Sequence, residues 1–90
     1  MVLPRSELEK KEFEAIQEWF PHSRIKEDYN REILDIGVEI SIHNQVFILL
    51  KGEQTGHTYE VIDPECKWYE GLVDLNAVDV LIKRICRESS

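Results

Sequence analysis

The sequence predicts a small α+β domain: an N-terminal helix, a three- to four-stranded antiparallel meander and a C-terminal helix, both helices on one sheet face. Three observations predict it. Residues 7–20 and 75–88 repeat apolar side chains at helical spacing. Residues 34–43 alternate apolar and polar, the period of a half-buried strand. The segments between 34 and 69 are joined by short polar stretches, which favour antiparallel neighbours in a single layer. Helices at the two ends then cover the same face of that layer.

The first helix is expected over about 7–20. Ser6 and Glu9 have capping-box spacing, in which each side chain satisfies the other's free backbone N–H. Leu8, Phe13, Ile16, Trp19 and Phe20 form its apolar stripe, and Lys10, Lys11, Glu14 and Glu18 take the opposite side. Pro21 ends it, because the residue before proline avoids helical backbone angles. Residues 22–33 are mixed, with Ile25 and Tyr29 as a weak signal for a short edge strand.

Leu34, Ile36, Val38, Ile40 and Ile42 face one side of the first full strand. Asn44-Gln45 is the expected turn. Val46–Leu50 is continuously apolar, so both faces of that strand carry apolar side chains. A loop over 52–56, bounded by glycines, leads to a strand over 57–63, which Asp63-Pro64 ends. Cys66–Tyr69 is either a fourth short strand or an ordered loop. Asp74 is suited to cap the second helix, whose stripe is Leu75, Val78, Leu81, Ile82 and Ile85. Lys83, Arg84 and Arg87 sit where cations complement the helix dipole. No repeat or linker divides the chain, so residues 1–90 read as one domain.

Charge narrows the function. The net charge is −7, and residues 31–80 hold ten acids against three bases. That sign repels phosphate backbones and anionic membrane surfaces, so neither nucleic acid nor membrane is an expected partner. The helix–strands–helix order is similar to that of the double-stranded RNA-binding domain and of acidic secretion chaperones, at the level of topology alone. The RNA-binding domain holds phosphates with basic residues near the start of its last helix. Here that stretch, Asp74–Asp79, is acidic. No stretch approaches the ~20 apolar residues of a membrane span, and Met1–Arg5 lacks the apolar run of a signal peptide. Cys66 and Cys86 are too few for a disulfide framework and match no zinc spacing, so both are expected as reduced thiols in a cytoplasmic protein.

No phosphate loop, nucleophile elbow or metal-ligand spacing is present, so no catalytic residue, metal or cofactor is assigned. His57 and Asp63 lie six residues apart on one strand, roughly 20 Å, too far to share a metal. The meander brings His43, Asp63 and Cys66 to one end of the sheet, which makes a small enzyme or enzyme subunit with a thiol site near Cys66 the alternative function, with a nucleic-acid-binding domain third because of the charge.

Register points elsewhere. Closing the hairpins on Asn44-Gln45 and on 52–56 pairs Ile40 with Leu49 and Leu49 with Tyr59, all in the core. Val46, Ile48, Leu50 and Ile62 are then left on the outer face, among Glu39, Ser41, Thr58 and Glu60. Ile48 is expected between Ser41 and Glu60. Adjacent apolar side chains on a solvated face suggest a contact surface, unless residues 66–72 fold across it. Trp68-Tyr69 adds an aromatic pair, one ring toward the core and the other exposed. The expected function is a small acidic protein-interaction module, acting as adaptor, inhibitor, immunity-type protein or chaperone. Its expected binding residues are Val46, Ile48, Leu50, Ile62, Trp68 and Tyr69, and its partner another protein or a second copy in a homodimer.

Overall fold

The computed structural model describes residues 4–26 and 34–88, with side chains from residue 9 onward. Helix α1 (Pro4–Trp19) is followed by strands β1 (Ser23–Ile25), β2 (Ile36–Ile42), β3 (Gln45–Lys51), β4 (Tyr59–Ile62) and β5 (Trp68–Leu72), and by helix α2 (Leu75–Glu88). The five strands form one antiparallel meander in chain order. One strand more is present than expected. Ile25 does sit in an edge strand, and Tyr29 lies outside the described residues.

Helix α1 begins at Pro4, where the missing N–H costs nothing, so Ser6 falls inside the helix and not at its cap. Ile16 and Phe20 are buried and Phe13 packs beside them, but Trp19 is 44% exposed and leaves the expected stripe. The side chain of Leu8 lies outside those described. Helix α2 has the expected bounds. The Asp74 carboxylate accepts the Ala77 N–H at 2.8 Å, satisfying one orphan donor of the first turn. Lys83 pairs with Asp79 one turn earlier at 3.0 Å.

Both helices cover the same sheet face. Ile16 of α1, Phe20 just after it, and Val78, Leu81 and Ile82 of α2 join Ile36, Val38, Ile40, Phe47, Leu49, Tyr59 and Val61 in one buried cluster. Each such side chain contributes about 1.5–3 kcal/mol of burial. A polar contact fixes α1 against the sheet. Glu12 accepts hydrogen bonds from Lys51 Nζ and from the Tyr59 hydroxyl, each at 3.0 Å, and the Lys51 ammonium lies 4.8 Å from the Tyr59 ring centre. Burial, and after it the charge of Glu12, push the Tyr59 phenol well above its ordinary pKa.

Both hairpins differ from the expected register by two residues. The β2–β3 turn is His43-Asn44, with φ of 50° and 62°, and Ile42 pairs with Gln45. Both residues occupy the left-handed region that tight hairpin turns require, and Asn and His tolerate it better than most side chains. Lys51 pairs with Tyr59, and the intervening loop contains a 3-10 turn over Glu53–Thr55. Thr55 holds that loop, its hydroxyl accepting the Gly52 N–H at 3.0 Å and donating to the Thr58 carbonyl at 2.6 Å. A shift of two preserves which face each side chain takes, so Phe47 and Leu49 are core residues as expected, with Val38 and Val61 as changed neighbours.

Candidate functional site

The outer sheet face is organised by one cross-strand row. Arg24 opposes Glu39, Glu39 opposes Ile48, Ile48 opposes Ile62, and Ile62 opposes Trp68, so five strands contribute one residue each. Opposed residues point to the same face, and from Glu39 to Trp68 the row spans three strand spacings, about 14 Å. An ion pair closes one end, with Arg24 Nε 2.7 Å from Glu39 Oε2. The Trp68 ring, 56% exposed, stands at the other.

Two expectations are corrected. Ile48 lies between Glu39 and Ile62, not between Ser41 and Glu60, so its lateral neighbour on β4 is apolar. Residues 66–72 do not fold across the face, because Trp68–Leu72 extends the sheet as β5. Leu34 covers part of the face instead. It packs on Leu50, which is 9% exposed, with Ile25, Ile48 and Ile62 beside them. Leu50 is therefore a buried support and not an open contact. Ile48 and Ile62 are half-buried, and Val46 is 47% exposed one row away. Tyr69 turns to the core side, and Trp68 alone of the aromatic pair stays open.

The turn that carries Trp68 is built by Asp63, which is only 8% exposed. Its Oδ1 accepts the N–H groups of Glu65 and Lys67, both at 2.9 Å, and its Oδ2 accepts the Tyr69 hydroxyl at 3.2 Å. Burial, then the bond to Asp63, raise the Tyr69 phenol. Cys66 takes a left-handed backbone, φ 66°, at the tip.

A β-bulge lies further along the β4–β5 ladder, where Tyr59 pairs with Leu72 and Val61 with Tyr69. The extra residue falls at Glu70-Gly71, and Gly71 has φ 73°, a conformation glycine adopts without strain. Glu70 continues the register of the Ile62–Trp68 and Val61–Tyr69 pairs and so lies opposite Glu60, just before the bulge. Burial, and then the charge of Glu70, raise the Glu60 carboxyl above its ordinary pKa. Among the described residues neither carboxylate pairs with a cation. Together with Gln54, Thr55, Thr58 and Gly71 they line an open hollow of about 400 Å³ beside the apolar row. Alternation carries Glu60 and, two residues on from Trp68, Glu70 to the outer face, but the sequence alone does not fix the β4–β5 register that opposes them.

His43, Asp63 and Cys66 do not assemble. His43 lines a hollow with His22, Ser41, Ile42 and Asn44, whereas Asp63 lines another with Gln45, Tyr69 and Ile85. No hydrogen bond joins the three side chains among the described residues, and both carboxylate oxygens of Asp63 are engaged by its own turn. Cys66 is exposed and free. Cys86 is half-buried against the core, where burial raises its thiol and Sγ lies 3.6 Å from Gln45 Oε1. Among the described residues no group of three or more His, Cys, Asp or Glu is placed to hold a metal ion, and no helix is long and apolar enough to cross a membrane. No family model, curated protein or solved structure matches this chain.

Proposed function

We propose that the protein is a small protein-interaction module that binds through the outer sheet face, around Val46, Ile48, Ile62 and Trp68. The observation that carries this reading is Trp68, a tryptophan 56% exposed at the end of a row whose apolar members are only half-covered. Tryptophan is over-represented among residues that dominate binding, and half-buried apolar neighbours supply a surface that excludes water around it. The two helices occupy the other face, so among the described residues this face, apart from the part under Leu34, is the one left open to a partner. Affinity capture from a native-host lysate tests the reading. A protein retained by the wild type should be lost with Trp68→Glu and kept with Val80→Glu, which alters an exposed apolar residue on α2. Loss with Val80→Glu and retention with Trp68→Glu would move the surface to the helices.

A further inference from the structure

We propose that the occupant of this face is a basic segment of another protein, and not a second copy of the chain. It sets an apolar side chain on Ile48, Ile62 and Trp68 and an arginine or lysine on Glu60 and Glu70. The inference rests on the reading of the face as a protein-binding surface and adds the chemistry of what binds there.

Charge complementarity carries it. Glu60 precedes Ile62 by two residues on β4, so the carboxylate pair lies about 7 Å along the strand from the apolar row and on the same face. The hollow beside it is open, and Thr55 and Thr58 are held in its wall by their mutual hydrogen bonds. Two adjacent carboxylates match the fork of a guanidinium, which donates to both at once. Along the row the cation is Arg24, already bound to Glu39. A second copy related by two-fold symmetry brings the same patch to itself. It would desolvate further carboxylates without supplying a free cation from this row, and would join two chains of net charge −7. A basic partner supplies the missing charge. In an extended segment, residues i and i+2 share a face at about 7 Å, which gives the spacing it must present: apolar, any residue, basic.

The test follows Trp68 fluorescence in the Trp19→Phe protein, where Trp68 is the remaining tryptophan. The probes are peptides of Val-Ser-Arg-Ser repeats, Val-Ser-Glu-Ser repeats and Gly-Ser-Arg-Ser repeats. The first should bind saturably and shift the emission to the blue, and the other two should bind at least about tenfold more weakly. The Glu60→Gln/Glu70→Gln protein should lose at least about tenfold in affinity for the first peptide. The Glu14→Gln/Glu18→Gln protein, which has the same net charge and is changed on an exposed part of α1, should stay within about twofold. Circular dichroism confirms that both double variants are folded. Equal losses in the two double variants, or equal binding of the glutamate peptide, would overturn the proposal. Light scattering separates the two claims. A dimer abolished by Trp68→Ala would overturn the basic partner while keeping the face as an interface. No peptide response at Trp68 and no dimer would remove both.

Discussion

Asp63 provides a direct test of how the site is held. Its carboxylate is buried and receives three donors: the N–H groups of Glu65 and Lys67 on Oδ1, and the Tyr69 hydroxyl on Oδ2. Asp63→Ala removes all three acceptors. A hydrogen bond to a charged group contributes about 1.5–3 kcal/mol, but Glu65 and Lys67 are exposed and water partly replaces the lost carboxylate there. Allowing about 1 kcal/mol for each contact gives a loss of about 3 kcal/mol. Against the roughly 5–14 kcal/mol expected for a chain of this length, that is a large fraction. At about 4–8 °C per kcal/mol the melting temperature should fall by roughly 12–24 °C. Asp63→Asn is the informative partner. Its carboxamide oxygen still accepts both N–H groups, and its NH₂ donates to the Tyr69 oxygen. If geometry holds the turn, the asparagine variant should lose no more than about 1 kcal/mol. Thermal and urea melts by circular dichroism read all of this. Tyr69→Phe in a double-mutant cycle with Asp63→Ala should return a coupling of about 1 kcal/mol. An asparagine variant as unstable as the alanine variant would refute the geometric account and assign the effect to charge. A loss below about 0.5 kcal/mol in the alanine variant would show that the turn is held by other contacts.

Other perturbations separate the two sheet faces and the two helices. Leu49→Glu should unfold the domain, because Leu49 is fully buried between Val38 and Val61, whereas Ile48→Glu, half-buried, should leave it folded at a cost of about 1–3 kcal/mol. Circular dichroism of the pair reads this directly, and unfolding by Ile48→Glu alone would put the register off by one. Glu12→Ala should cost about 1–3 kcal/mol in a urea melt, because it leaves the buried Tyr59 hydroxyl without its acceptor and Lys51 without its ion pair. Tyr59 also links stability to alkaline pH. Its folded pKa is raised, so its contribution is intact below the unfolded value of about 10 and is lost as pH climbs above it, by up to about 1.4 kcal/mol per pH unit. Tyr59→Phe should flatten that slope, and an unchanged slope would refute the assignment. Native alkylation should reach exposed Cys66 before Cys86, whose thiol burial raises, and equal rates would contradict this placement.

Both helices, the core face of the sheet and the strand order were legible because they depend on periodicity. Ile36, Val38 and Ile40 are buried, whereas Glu39 is half-buried and Ser41 exposed, and Gly37 alone of the intervening residues is also buried. Asp74 capped α2 where its side chain and position required. Turn geometry was not legible to the same degree. His43 and Asn44 form the hairpin turn with no glycine to mark it, and seven residues, 52–58, separate β3 from β4 because Thr55 and Thr58 organise a 3-10 turn within them. Edge strand β1 is three residues long, too short for a pattern to stand out.

The limit on reading the site has the same origin. A two-residue slip in each hairpin leaves every side chain on its own face, so the division into core and outer face survives it. The slip does change lateral neighbours. It moves Ile48 from between two polar residues to a place between Glu39 and Ile62, and so joins Ile48, Ile62 and Trp68 into a continuous row. The proposed binding surface is thus a property of register, whereas the core is a property of parity. Glu70 depends on a finer detail still. Ile62 pairs with Trp68 and Val61 with Tyr69, and the same register sets Glu70 opposite Glu60, with the bulge at Gly71 following it. Alternation places both carboxylates on the outer face but does not encode their pairing, which is set by the turn that Asp63 holds between β4 and β5. The residues that give this face its chemical character are therefore assigned to it by parity and brought together by register.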